Sequence, residues 1–153
     1  MDNAMTPSDV ETIITRSCPV NRNHTFQDAI NATGRKPYCN SNVVSTAPKC
    51  EGDFEGMFVN IGWIVDCDKL DTVLSELGFE LIVDPQGLAD LNASDPEFAD
   101  KYPNGTQWKN KDGKFCCAVF SRWDGERDVV VDQDFYCWSG GWWFPCRPKN
   151  LDD

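Results

Sequence analysis

Residues Met57-Phe58-Val59-Asn60-Ile61-Gly62-Trp63-Ile64-Val65-Asp66-Cys67-Asp68-Lys69-Leu70-Asp71-Thr72-Val73-Leu74-Ser75-Glu76-Leu77-Gly78-Phe79-Glu80-Leu81-Ile82-Val83 carry the clearest structural pattern in the chain. Its first nine residues form an apolar run rich in aromatic and β-branched side chains, which predicts a strand. Leu70, Val73, Leu74 and Leu77 then fall at i, i+3, i+4 and i+7, the spacing of one buried helix face. Asp66 or Asp68 is placed to cap the amino end, Asp71 suits the positive end of the helix dipole, and Gly78 supplies a left-handed stop. Phe79 to Val83 returns as a strand, ended by Asp84-Pro85, so the unit is strand–helix–strand.

Toward the carboxy terminus, residues 84–114 contain Pro85, Gly87, Pro96, Pro103, Gly105 and Gly113, which reads as an exposed loop region with a turn of helix near Pro96-Glu97-Phe98-Ala99. Phe115 to Trp123 and Val129 to Trp138 favour extended structure around a turn-like Asp124-Gly125-Glu126-Arg127-Asp128, predicting a hairpin. Toward the amino terminus, residues 1–50 are rich in turn formers. One short helix is expected there, with Phe26, Ala29 and Ile30 on one face, His24 or Thr25 at its start and Gly34 just past its end. The expected architecture is a single α+β domain over 1–153, with about four antiparallel or mixed strands and one or two packed helices. Residues 1–17 are expected to be a flexible segment and 147–153 a tail.

Eight cysteines, Cys18, Cys39, Cys50, Cys67, Cys116, Cys117, Cys137 and Cys146, are spread over the 153 residues without a C-x-x-C or a cysteine–histidine knuckle. That pattern favours structural disulfides over a zinc site or a redox motif. Four bridges, at about 2–4 kcal/mol each, would rival the net stability of an ordinary domain. Cys116 and Cys117 must point to opposite sides of a strand, so they are expected to bridge different partners. Four Asn-x-Ser/Thr sequons, at Asn23, Asn31, Asn92 and Asn104, are the glycosylation candidates. Together these features predict a secreted, extracellular glycoprotein, a mature chain whose secretion signal has been removed.

The formal charge is -11, and it is concentrated beyond residue 50. An acidic surface repels phosphate backbones and anionic lipid, which argues against nucleic acid and membrane partners. No apolar run approaches the roughly 20 residues that a membrane helix needs. His24, the single histidine, lies inside a sequon, and there is no G-x-S-x-G, H-E-x-x-H, phosphate-loop or dinucleotide motif. No catalytic residue, metal ligand or cofactor is therefore nominated. Twenty-five Asp and Glu residues permit carboxylate pairs of the glycosidase kind without specifying one. Asp124, Glu126 and Asp128 crowd the hairpin turn but do not match a calcium loop.

Six tryptophans are many for this length, and Trp138, Trp142 and Trp143 fall in a glycine-hinged stretch between Cys137 and Cys146. Two readings stand side by side. The rings plug the open end of a small sheet, or they recognise a protein or a sugar. The candidate interaction surface is Asp124, Glu126, Asp128, Trp142 and Trp143.

An acidic, even-cysteine domain with sequons, a strand–helix–strand core over Met57–Val83 and a tryptophan-rich final hairpin over Phe115–Trp138 resembles the small secreted cysteine-rich effectors of plant-infecting fungi. Within that group it is similar to the Leptosphaeria avirulence-suppressing (LARS) structural family, with Ser121-Arg122-Trp123 as a reordered trace of a Trp-Arg-aromatic motif. The resemblance implies a disulfide-stabilised α+β fold with a four-stranded antiparallel sheet. It also implies a non-enzymatic, monomeric effector in the host apoplast, with entry into host cells open, that binds a host protein and modulates or triggers immune recognition. The alternatives from other classes are a carbohydrate-binding module or two-carboxylate glycosidase, and a killer-toxin-like or protease-inhibitor protein.

Overall fold

A computed structural model describes residues 13–133 and 136–150. In chain order the elements are β1 (Ile13–Cys18), α1 (Phe26–Ala32), β2 (Lys36–Cys39), α2 (Ser41–Val44), β3 (Phe54–Asn60), β4 (Val65–Asp66), α3 (Cys67–Glu76), β5 (Phe79–Leu81), α4 (Pro85–Ser94), α5 (Phe98–Lys101), β6 (Asn104–Lys109), β7 (Phe115–Trp123), β8 (Glu126–Gln133), β9 (Cys137–Trp138) and β10 (Trp143–Pro148). The strand–helix–strand reading of 57–83 corresponds to β3, α3 and β5. Leu70 and Leu74 are fully buried and Gly78 adopts φ 91° just past the helix, whereas Asp66 stands at the N-cap position without a side-chain capping hydrogen bond. The expected amino-terminal helix is α1. Thr25 caps it through a reciprocal capping box with Asp28, each bond at 3.0 Å.

The main sheet runs β1-β3-β10-β6-β7-β8-β2, with β5 added to the end of β10, and β4 pairs β9 in a separate ladder. It is mixed. The β10–β6 and β2–β8 pairs are parallel and the remaining pairs antiparallel. Because side chains alternate across a strand, β7 feeds two cores. Cys116, Ala118 and Phe120 join the core under α1, α2, α4 and α5, while Cys117 and Val119 join the one formed with Leu70, Leu74 and Trp138 on the other face. The α+β class therefore stands, in a larger form than the expected four strands and one or two helices.

Several readings are corrected. Residues 84–114 are not an exposed loop region, for they contain the buried helix α4, the short helix α5 and the buried central strand β6. Asp84-Pro85 opens a helix instead of closing a strand. The Asp84 carboxylate accepts the Gly87 N–H at 3.0 Å and Pro85 takes the first helical turn, where its missing N–H costs nothing. Residues 13–17, expected to be flexible, lie in β1, zipped antiparallel to β3, and Arg147 and Pro148 belong to β10 instead of a tail. The second arm of the hairpin starts at Glu126 and ends at Gln133, while Cys137 and Trp138 pair with β4.

Candidate functional site

The β7–β8 hairpin turns on Asp124 and Gly125 alone, at φ 50° and 81°, the left-handed pair of a two-residue turn whose twist matches its strands. This tight turn fixes the register. Trp123 lies opposite Glu126 and Ser121 opposite Asp128, while Lys36 and Tyr38 of β2 lie beside Asp128 and Val130. Residues directly opposite share a face, so Trp123, Glu126, Asp128, Lys36 and Tyr38 all stand on the side of Val119 and Val130. At this corner Trp123 is 77% and Tyr38 50% exposed.

The Tyr38 hydroxyl donates to Glu126 Oε1 at 2.8 Å. This bond first, then contact with Asp128, holds the Glu126 carboxyl below its ordinary range. Burial, then Glu126, pushes the Asp128 carboxyl up. The carboxyls thus divide into one that stays ionised and one that keeps its proton longer, between two exposed rings. On the opposite face Arg127 closes on Asp100 of α5 at 2.6 Å, and the buried Arg35 guanidinium donates to the Ser121, Asp128 and Pro96 carbonyls. The corner is therefore tied to the helical layer, and its strands form a fixed platform.

Of the predicted interaction residues, Asp124, Glu126 and Asp128 gather at this corner. Trp142 and Trp143 do not. Trp142 meets the buried Trp138 edge-on at 5.7 Å, and Trp143 meets Tyr102 edge-on at 5.1 Å, so both half-buried rings belong to packing clusters. Asn60 Nδ2 pins their loop by donating to the Gly140 and Trp142 carbonyls, each at 2.9 Å. Tyr38 and Trp123 are the corner residues not nominated from sequence. Exposure of Trp123 was hinted by its position next to the turn, whereas the parallel pairing that brings Tyr38 alongside has no local signal.

Asn23 and Asn31 are exposed, as glycan acceptors require. Asn92 and Asn104 lack that exposure: each is 0% exposed, with its amide nitrogen committed to hydrogen bonds inside the protein. Cys18, Cys67, Cys116, Cys117 and Cys146 are buried, Cys39 and Cys50 half-buried and Cys137 exposed, with no disulfide bond among the described residues. Cys116 and Cys117 do face opposite cores.

A separate cleft of about 560 Å³ is lined by Arg22, His24, Phe26, Val44 and Cys50 among others. Its chemistry is not that of an activated nucleophile. Cys50 Sγ lies 3.3 Å from the Val83 carbonyl, and burial followed by Asp84 pushes the thiol up, the reverse of what a reactive thiolate needs. Among the described residues no group of three or more His, Cys, Asp or Glu side chains is gathered to hold a metal ion. Comparison with protein-family models, curated proteins and solved structures finds no match to this chain.

Proposed function

We propose that this chain is a secreted, non-enzymatic binding protein of the effector type, which docks a host protein on the corner formed by β7, β8 and β2. The observation that carries this reading is the placement of Trp123 and Tyr38, both strongly exposed, around the Glu126–Asp128 pair. Exposed aromatic rings beside polar groups are the make-up of interface hot spots, and a rigid sheet platform lowers the entropy lost on docking. The ionised Glu126 and the acidic chain as a whole favour a basic partner surface. Resemblance to cysteine-rich effectors supports the same class.

The test uses immobilised full-length protein with plant apoplastic extract and an immune-response assay in leaf tissue. Wild type is expected to retain a partner, Trp123→Ala to lose at least about tenfold of it, consistent with a hot-spot loss, and Asp112→Ala, at a remote turn, to behave as wild type. Unchanged capture and unchanged response with Trp123→Ala and Glu126→Gln would overturn the reading. One specific observation favours a second reading: two exposed rings flanking hydrogen-bonding carboxyls also suit stacking and gripping of a sugar. Glycan-array binding lost in Trp123→Ala would select that alternative.

A further inference from the structure

We propose that Cys67 and Cys137 are disulfide partners, forming a covalent latch that fastens β9 to the first turn of α3. The two residues meet in the β4–β9 ladder, where Asp66 lies directly opposite Cys137 and the Cys67 N–H donates to the Tyr136 carbonyl at 2.8 Å. Opposed residues in an antiparallel ladder have Cα atoms about 4.5–5.5 Å apart, and one step along a strand adds about 3.3 Å. The diagonal Cys67–Cys137 separation is therefore about 6 Å, inside the range a disulfide spans.

Strand alternation alone would send these two side chains to opposite faces. At Cys67, however, the chain leaves the strand and enters α3, which frees its Cβ from that alternation. Consistent with proximity, the Cys67 thiol is pushed up to about 12, by burial first and then by Cys137, ahead of Asp66 and Asp68. Cys117 is the competing partner, since it also senses Cys67 and sits opposite Gln107, whose amide reaches the Cys67 carbonyl at 2.8 Å. Access separates the two. Cys117 is buried in the sheet floor, whereas Cys137 is exposed and open to an oxidant.

With a small-molecule disulfide such as oxidised glutathione as the oxidant, the Cys137 thiolate attacks one sulfur and expels a first thiolate. The Cys67 thiol, deprotonated to solvent, then attacks the Cys137 sulfur of the mixed disulfide and expels the second. Two protein thiols are oxidised and one glutathione disulfide is reduced to two thiols. The product ties residues 70 positions apart in the chain, and it anchors the neighbouring Trp138, whose indole N–H donates to Gln107 at 2.8 Å.

The test is peptide mapping without reduction, on protein secreted by an oxidising host and on protein reoxidised with oxidised glutathione, remaining thiols being alkylated in denaturant first. A linked pair of peptides containing Cys67 and Cys137 is expected in both preparations. Cys67 linked to Cys117 or to any other cysteine, or recovered alkylated, overturns the proposal. This outcome is independent of whether the β7–β8–β2 corner binds a partner.

Discussion

Asn92 and Asn104 grip each other through both amides, with Asn92 Nδ2 donating to Asn104 Oδ1 at 2.9 Å and Asn104 Nδ2 returning to Asn92 Oδ1 at 3.2 Å. Their second N–H groups go to the Leu88 and Tyr102 carbonyls. The pair welds α4 to β6 at a site closed to solvent, where an unmatched amide carries its full desolvation cost. Asn92→Ala strands one donor and one acceptor of Asn104. The expected loss is about 1–3 kcal/mol, measured by urea denaturation with an unchanged m-value.

The same burial sets glycan occupancy. Expressed in a glycosylating secretory host, the folded protein should carry glycans only at the exposed Asn23 and Asn31. Peptide mass mapping before and after enzymatic deglycosylation checks this directly. Recovery of folded protein glycosylated at Asn92 or Asn104 would contradict the buried amide pair.

Gly105 illustrates a different constraint. A Cβ placed there would lie 2.8 Å from Val119 Cγ1, 2.9 Å from the Ala118 carbonyl oxygen and 2.9 Å from Trp138 Cη2. The backbone of β6 and the Trp138 ring approach too closely for any side chain, and the neighbouring carbonyl cannot swing away without breaking the sheet. Gly105→Ala is expected to destabilise by about 1–3 kcal/mol and to shift tryptophan emission to the red as Trp138 is displaced. A wild-type melting curve and spectrum would show that this packing is looser than described.

These two residues explain where the sequence was legible and where it was not. The β3–α3–β5 unit could be read because Leu70, Leu74 and Leu77 obey helical spacing and are buried for that reason. In residues 84–114 the local signals had two meanings. Pro85 carries the signal of a strand breaker, yet beside Asp84 it starts a helix, and Asp84 is further fixed by a bidentate ion pair with Arg22 at 2.7 and 3.0 Å. Gly105 contributes to a loop signal, yet it answers a tryptophan 33 positions later. The Asn-Gly-Thr sequon looked like surface because a buried amide pair is visible only once both partners are known. At the candidate site, the hairpin acids could be grouped by their place around the expected turn, but their common face follows from β8 starting at Glu126, and the parallel docking of β2 that adds Tyr38 depends on long-range topology.

The Glu126–Asp128 pair makes stability depend on pH in a definite direction. Burial and then Glu126 raise the Asp128 carboxyl above its unfolded value of about 3.9, so the folded state binds that proton first. Its contribution to stability grows as pH falls through the raised folded value and is complete below the unfolded one. Asp90, raised by burial, acts in the same sense. Asp100, held down first by Arg127, and Asp28, held down by Thr25, act oppositely, as does Glu126, held down first by Tyr38. Their stabilisation is present above about pH 4 and is lost as pH falls through their depressed values. Asp128→Asn keeps the shape and removes the titration. Relative to wild type it should melt higher at pH 7, and the difference should narrow as pH falls toward the unfolded carboxylate value and wild type takes up its proton. Melting temperatures that run parallel for the two proteins across that range would show that Asp128 holds no shifted proton and that the two carboxyls at the corner titrate independently.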